Sequence, residues 1–298
     1  QQWMKLKAYA NEKGIQIIGD IPIYVAMDSA DTWANPWLFK LDEKNCPTQV
    51  AGCPPDGFSA TGQLWGNPLY NWEVHRNSGY EWWIKRIANC FRLYDVVRID
   101  HFRGFDEYYA IPYGDATAEN GWWEKGPGID LFRAISASLG DREIIADSVK
   151  RLVEESGYPN MKVIEFAFDE RDTGNASDYL PHNYPRNCVV YTGTHDNETL
   201  LSWLEDITPA ERRQVRKYLN NFKDSGKELC DDLICLVMQS VANLCIVPMQ
   251  DYLGLDNSAR MNQPSTLGKN WKWRLKEGQF TAELQKEMLE LATRYGRR

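Results

Sequence analysis

The segment VVRIDHFRGF, residues 96–105, places charged and titratable side chains where an apolar run ends. The residues VVRI are typical of a buried strand, and Arg98, Asp100, His101 and Arg103 lie in or just after it. Alternate side chains of a strand share a face, so Arg98 and Asp100 point the same way. An arginine favours the ionised form of a neighbouring carboxylate, which can then attack an anomeric carbon. Asp100 is therefore a candidate nucleophile; the alternative is a structural ion pair at the strand end.

A second segment, YTGTHDNE at 191–198, repeats this arrangement with His195 and Asp196. A single histidine after a strand is often only a hydrogen-bonding residue of the core. Two strand ends that both carry a carboxylate beside a cation or an imidazole favour chemistry instead. Retaining glycosidic reactions need carboxylates around an oxocarbenium-like centre, and Asp100 and Asp196 could supply two of them.

Strand and helix patterns alternate along the chain, which predicts a parallel sheet. The spread of polar residues over several strand ends favours a (β/α)8 TIM barrel. Six strands are too few for this barrel, and residues 1–14 already have a helical pattern. We therefore expect 1–298 to be a partial barrel that lacks N-terminal strands. The predicted strands are 15–18, 96–99, 143–146, 161–168, 188–193 and 245–249, and the predicted helices between them include 81–94, 129–139, 148–157 and 208–222.

Residues 20–79 differ from the rest, because they have little periodicity and are rich in Pro, Gly, Asn and aromatic residues. Connections of this length within a domain are usually functional, so we expect a long aromatic active-site loop region. The alternative is a surface loop held by its own side chains. The run WKWRL at 271–275 is expected to be structural.

Composition excludes several classes of function. A formal net charge of −8 disfavours nucleic acid and anionic membranes as partners. Seven cysteines without a Cys-x-x-Cys pair argue against a disulfide framework and against a metal site, and they favour a reducing, cytoplasmic location. We see no apolar run long enough to cross a bilayer and no leader segment. The 12 Trp, 15 Tyr and 10 Phe offer flat apolar rings that suit sugar faces.

Several long motifs, in this order, resemble the 4-α-glucanotransferase or amylomaltase family of the α-amylase clan. They are GDIPIYVAMDSADTWANP, PPDGFSATGQLWGNPLYNW, VVRIDHFRGF, KGPGIDLF, TGTHDN and YLGLDNSARMNQPSTLGKNWKWRL. The resemblance implies a (β/α)8 barrel that needs no cofactor and no metal. It also implies transfer of α-1,4-glucan segments between maltooligosaccharides, or from starch or glycogen-type glucans, through a glycosyl-enzyme.

The resemblance also assigns residues to roles. Asp100 matches the nucleophile, and Asp196 matches the carboxylate that holds and distorts the sugar. The matching substrate-binding residues are Arg98, His195, Asp20 and His101, together with Phe58 and Trp65, which would stack on glucose rings in a lid over the acceptor side.

The general acid/base of the family is a Glu after the fifth strand, in a motif of the form IIAEDLG. Here EIIA at 143–146 runs directly into a helical pattern, and about seven residues of the family pattern are absent between Ala146 and Asp147. Asp147 fits a helix N-cap, and neither Glu143 nor Glu165 is a convincing substitute. We expect the natural protein to carry a mobile loop with the missing Glu.

The incomplete barrel and the missing acid/base Glu leave two alternatives open. One is an α-glucan hydrolase of the same clan, since water and a sugar hydroxyl compete for the same intermediate. The other is a catalytically dead fragment that only binds glucan.

Overall fold

The computed structural model describes residues 1–55, 59–146, 150–169, 176–223, 225–264, 266 and 268–297. The chain divides into two compact units, Gln1–Asn160 and Met161–Arg298. All seven cysteines are free. Within the described ranges, every helix is too short or too polar to span a membrane.

Unit 1 contains a group of parallel strands in the order β1 (Ile18–Pro22), β4 (Val96–Asp100) and β7 (Ile144–Ala146). Asp20 of β1 lies opposite Arg98 of β4, and Pro22 lies opposite Asp100. Val97 to Ile99 of β4 pair with Ile144 to Ala146 of β7. In chain order, the elements of this unit are α1 (Gln2–Glu12), β1 (Ile18–Pro22), α2 (Ala30–Ala34), β2 (Gln49–Cys53), β3 (Gln63–Pro68), α3 (Trp72–Asn77), α4 (Glu81–Leu93), β4 (Val96–Asp100), β5 (Glu107–Pro112), β6 (Trp122–Lys125), α5 (Ile129–Leu139), β7 (Ile144–Ala146) and α6 (Lys150–Ser156).

The predicted strands at 96–99 and 143–146 are confirmed, whereas the one at 15–18 is displaced. β1 begins only at Ile18, because the preceding backbone has other partners. Ile17 N donates to the Asp95 carboxylate at 2.8 Å, and Ile17 O accepts from Asp95 N at 2.8 Å. These bonds connect the residue before β1 to the turn before β4.

A four-stranded antiparallel sheet, β3-β2-β5-β6, lies partly within residues 20–79. Sequence patterns did not indicate β2 and β3. β2 contains Gly52, and its register with β3 shifts between Val50 and Gly52. A Cβ at Gly52 would overlap the Gln63 carbonyl oxygen, so glycine permits the close approach of the two backbones. Glycine is typical of loops in sequence patterns, but Gly52 is required for the pairing of β2 with β3.

The core of unit 1 is aromatic. Trp83 of α4 is fully buried, and its ring lies 5.3 Å from that of Tyr70 and 5.1 Å from that of Phe105. Ile87 and Cys90 lie on the same face of α4 and are also buried. This packing supports the carboxyl end of β4, where the chain continues into the 3-10 turn Phe102–Phe105.

Unit 2 contains the parallel pair β9 (Cys188–Tyr191) and β10 (Leu244–Ile246), with Val190 opposite Cys245. The predicted capping box at the start of α8 is present, since Thr208 and Glu211 bond each other's backbone N–H groups. Beginning with β8, which starts at the last residue of unit 1, the elements are β8 (Asn160–Val163), β9 (Cys188–Tyr191), α7 (Leu200–Asp206), α8 (Pro209–Leu219), α9 (Gly226–Met238), β10 (Leu244–Ile246), α10 (Met249–Tyr252) and α11 (Ala282–Arg294).

The predicted strand at 161–168 is correct only for its first part. β8 ends at Val163, and residues Ile164–Phe168 form a 3-10 turn. Ile164, Ala167 and Phe168 are all buried, and their i, i+3, i+4 spacing fits a helical turn rather than strand alternation. Together the two units show a mixed α/β fold with parallel strand pairing, as predicted.

Candidate active site

Arg98 organises the first cluster of candidate residues, at the carboxyl end of β4. Its guanidinium donates from Nη1 to the Asp20 carboxylate and from Nη2 to Asp100 Oδ1, the latter at 2.9 Å. The Arg98 side chain is only 10% exposed, whereas that of Asp100 is 45% exposed. A buried cation thus holds a carboxylate that solvent, and therefore a ligand, can reach.

Strand geometry explains why these three side chains meet. Asp20 and Arg98 are paired across parallel neighbours, and Arg98 and Asp100 are two residues apart on one strand. All three therefore lie on one face of the sheet. The structure brings together three of the predicted residues that are up to 80 positions apart in the chain.

His101 follows β4 in a left-handed conformation, with a φ of +54°. Burial lowers the pKa of this imidazole to about 4, against the opposing effect of the Asp100 charge. The ring is therefore neutral at neutral pH. The Trp65 ring contacts it edge-on, with centroids 4.8 Å apart.

Trp65 lies in β3 and is half-buried, and its Nε1 donates to Gln63 Oε1 at 3.0 Å. The C-terminal part of the predicted lid is therefore a β-strand, β3. The other predicted lid residue, Phe58, lies outside the described residues, as does Asp147.

The second cluster belongs to unit 2 and centres on Asp196. His195 Nε2 lies 3.5 Å from Asp196 Oδ2. The Asp196 backbone N donates to Thr194 Oγ1 at 3.3 Å. In turn, the Thr194 hydroxyl donates to Asn197 Oδ1 at 2.7 Å, which closes a compact turn after β9. This turn fixes the direction of the Asp196 side chain.

Two further residues hold Asp196 and were missed by sequence reasoning. Asn262 Nδ2 donates to Asp196 Oδ1 at 2.6 Å, and Arg260 Nη2 donates to the Asp196 carbonyl at 2.6 Å. Asn262 N also donates to the His195 carbonyl at 3.0 Å. The sequence indicated only that the polar run SARMNQPST, before WKWRL, is a loop that could lie near the cleft.

Buried carboxyl groups underlie this turn. Burial raises the pKa of Glu165 well above its usual range, and the charges of Asp251 and Glu198 act in the same direction. Burial also raises the pKa of Asp251, although Thr192 Oγ1 and Leu200 N donate hydrogen bonds to it. A Cβ at Gly193 would lie 2.8 Å from Glu165 Oε1, so the backbone of the turn passes directly over this carboxyl.

A pocket of about 120 Å³ opens beside the second cluster. Its walls include His195, Glu198 and Arg260. Among the residues that the structure describes, no group of three or more His, Cys, Asp or Glu side chains could hold a metal ion. The chemistry available here is that of carboxylates, an imidazole and hydrogen-bond donors.

Comparison with known proteins adds to this geometry. The sequence model of one family, described as 4-alpha-glucanotransferase, matches residues 1–281. The chain belongs to this family. A 4-alpha-glucanotransferase of Streptococcus pneumoniae is 50% identical over 305 residues, which cover 100% of the chain and 59% of the relative. The relative from Clostridium butyricum is also 50% identical and covers 99% of the chain, which spans 62% of that protein.

Among solved structures, an amylomaltase of Streptococcus agalactiae in complex with acarbose is similar to this family member. The TM-score is 0.93 at 42% identity, and the match covers 99% of this chain and 60% of that one. The chain thus spans about three fifths of the length of the relatives that it matches. The resemblance noted in the sequence is confirmed.

Proposed function

We propose that this chain carries the nucleophile and the sugar-holding carboxylate of a 4-α-glucanotransferase. The observation that carries the proposal is the solvent-accessible Asp100 carboxylate held by the buried Arg98 guanidinium at a strand end. The activity named for the relatives supports the reaction, and the acarbose complex of the similar structure supports an oligosaccharide ligand. The substrates we propose are maltooligosaccharides and the α-1,4-glucans of starch or glycogen.

The reaction is a double displacement. An Asp100 oxygen attacks the anomeric carbon, and the glycosidic bond breaks as its oxygen takes a proton from a general acid. A hydroxyl of an acceptor glucan then attacks the glycosyl-enzyme, gives its proton to the same group and frees Asp100. Asp196 and His195 hold hydroxyls of the sugar, and their bonds strengthen as the ring flattens in the transition state. Arg98 holds the Asp100 carboxylate in place and is itself held by Asp20, and neutral His101 is an additional hydrogen-bonding contact.

This mechanism needs a proton donor, and the sequence has no Glu at the position after β7 where the family carries its general acid/base. The alignment with the Streptococcus pneumoniae relative runs over 305 positions against 298 residues, a difference of seven. This difference supports our proposal that about seven residues with the acid/base Glu belong between Ala146 and Asp147. Glu165 is buried, and Glu143 precedes β7.

Two wider features remain proposals. We propose that the complete protein closes a (β/α)8 barrel, with the strands absent from this chain supplied by the rest of its length. A cytoplasmic location also stays a prediction. Transfer is favoured over hydrolysis if a lid that includes Trp65 excludes water and holds the acceptor.

Product analysis tests the proposal. Maltotriose incubated with the complete protein, which we propose carries the acid/base Glu, should give both shorter and longer oligosaccharides, with a constant number of reducing ends. A steady rise of reducing ends would show an α-glucan hydrolase instead. Binding without any change of the sugar would show a glucan-binding fragment.

A further inference from the structure

Trp271 has a backbone conformation that bulky side chains rarely adopt. Its φ is +62°, in the left-handed region, where contacts of the Cβ disfavour most residues other than glycine and asparagine. Two hydrogen bonds fix it, from Trp271 N to Met261 O at 2.7 Å and from Arg274 Nη1 to Trp271 O at 3.0 Å. Strained backbone that its surroundings hold in place is concentrated at functional sites.

Core packing does not account for the Trp271 ring. The residue is 52% exposed, whereas aromatic residues such as Phe168 and Tyr184 are buried in the core of unit 2. A tryptophan kept for packing alone would gain more from burial than from a strained, half-exposed position. The expectation that the run WKWRL is purely structural is therefore not supported at its first residue.

The exposed indole lies against the second cluster of the candidate site. Its ring centroid is 4.9 Å from that of His195, and the two planes are inclined by 45°. His195 in turn lies beside the Asp196 carboxylate, and Met261, which accepts from Trp271 N, lines the pocket that contains His195. Trp271 thus offers a flat apolar surface next to the polar groups that would hold a sugar.

We propose that Trp271 is a stacking residue for a glucose unit of the glucan chain, adjacent to the unit held by His195 and Asp196. This proposal rests on the proposed function and assigns it a further substrate-binding residue. A pyranose has an apolar C–H face that stacks on an aromatic ring, while its hydroxyls bond to polar side chains. The strained, half-exposed indole of Trp271 would contact the C–H face of one glucose unit, and the adjacent His195–Asp196 pair would bond sugar hydroxyls.

Removal of the ring without backbone strain is the direct test. Trp271→Gly suits this purpose, because glycine adopts a positive φ freely, and Trp271→Asn is a second ringless variant that tolerates the same region. Trp271→Phe keeps an aromatic face. The variants are made in the complete protein that carries the acid/base Glu, and the measurements are Kd by calorimetry and KM and kcat for transfer, with maltotriose, maltopentaose and maltoheptaose.

We expect Trp271→Gly and Trp271→Asn to raise Kd and KM by roughly three- to tenfold, with little loss of thermal stability. Trp271→Phe should stay within about threefold of the unchanged protein. Phe222→Ala removes another exposed aromatic of unit 2 and should leave Kd and KM unchanged. Unchanged Kd and KM in a folded ringless variant would overturn the stacking role, as would an equal effect of Phe222→Ala.

The outcomes also separate this proposal from the proposed function. Transfer in the unchanged protein, combined with unaffected ringless variants, would overturn only the role of Trp271. Binding without transfer would overturn the transferase activity alone, and the Kd comparison would still decide the role of Trp271. Loss of both binding and transfer in the unchanged protein would overturn both.

Discussion

The Asn262 side chain donates a hydrogen bond of 2.6 Å to the Asp196 carboxylate, across 66 positions of the chain. A hydrogen bond to a charged acceptor contributes about 1.5–3 kcal/mol, so its loss should be visible in the rate. We expect Asn262→Ala to lower kcat for transfer by roughly 10- to 100-fold, because Asp196 loses its orientation. Asn262→Asp should be worse, since it places a second negative charge beside Asp196.

Asn221 offers a matched control for Asn262. Its Nδ2 donates to Asp232 Oδ2 at 2.5 Å, a chemically identical pair that joins the loop after α8 to α9. Asn221→Ala should lower stability but leave kcat and KM unchanged. Equal kinetic losses in both alanine variants would show that the Asn262 effect is only structural.

The nucleophile assignment predicts a nearly complete loss of turnover in Asp100→Asn, because the amide keeps the shape but cannot attack. Binding of maltooligosaccharides should remain measurable, and the same holds for Asp196→Asn, whose effect should fall on kcat rather than KM. Asp106→Asn removes the carboxylate of another ion pair in unit 1, with Arg151, and serves as the control. Transfer activity retained in Asp100→Asn would falsify the assignment.

The proposed lid predicts that Trp65→Ala changes the ratio of products. Loss of its ring should weaken acceptor use more than donor cleavage, which raises the share of hydrolysis. Chromatography of products together with a reducing-end assay gives both rates in one experiment. Trp122→Ala, at an exposed tryptophan of β6, should leave the ratio unchanged. A parallel fall of transfer and hydrolysis in Trp65→Ala would indicate a purely structural residue.

The proposed absence of the acid/base Glu from this chain predicts that the rate depends unusually strongly on the leaving group. A glucan ether needs a proton for departure, whereas fluoride leaves without one. The 298-residue chain should therefore be glycosylated by an α-maltosyl fluoride far faster than by maltotriose. Insertion between Ala146 and Asp147 of the corresponding segment of a relative should restore transfer from maltotriose. Comparable rates with the two donors before insertion would show that the chain already has its proton donor.

Buried Glu165 predicts a pH dependence of stability. Its pKa is 4.5 in the unfolded chain and is raised by burial in the folded one, so the folded state binds more protons above pH 4.5. The free energy of unfolding should therefore fall as the pH rises above 4.5, by up to about 1.4 kcal/mol per pH unit, until the folded pKa is reached. Glu165→Gln should remove this part of the slope. Urea unfolding between pH 4 and 8 measures it, and an unchanged slope in the variant would contradict the prediction.

Local patterns in the sequence were sufficient for the Arg98–Asp100 pair and insufficient for the contacts that hold Asp196. Arg98 and Asp100 are two positions apart on one strand, so their shared face could be predicted from alternation alone. The contacts of Asp196 with Arg260 and Asn262 depend on a distant loop that has no periodicity, and no spacing rule indicates them. Gly52 similarly suggested a loop, because its role is a close approach between backbones that only the tertiary structure shows.

The pairing of Asp20 with Arg98 also has a consequence for folding. Exposed and buried residues alternate strictly along β1, from Ile18 to Pro22. A slip of β1 by one residue against β4 would turn Asp20 to the opposite face and bury the Arg98 guanidinium without that carboxylate. Asp100 would remain a partner of the guanidinium, but this largely buried cation would lose one of its two carboxylates, which lowers the stability of the misaligned sheet. The contact of Asp20 with Arg98, beside the candidate nucleophile, therefore also favours the correct alignment of the two strands during folding.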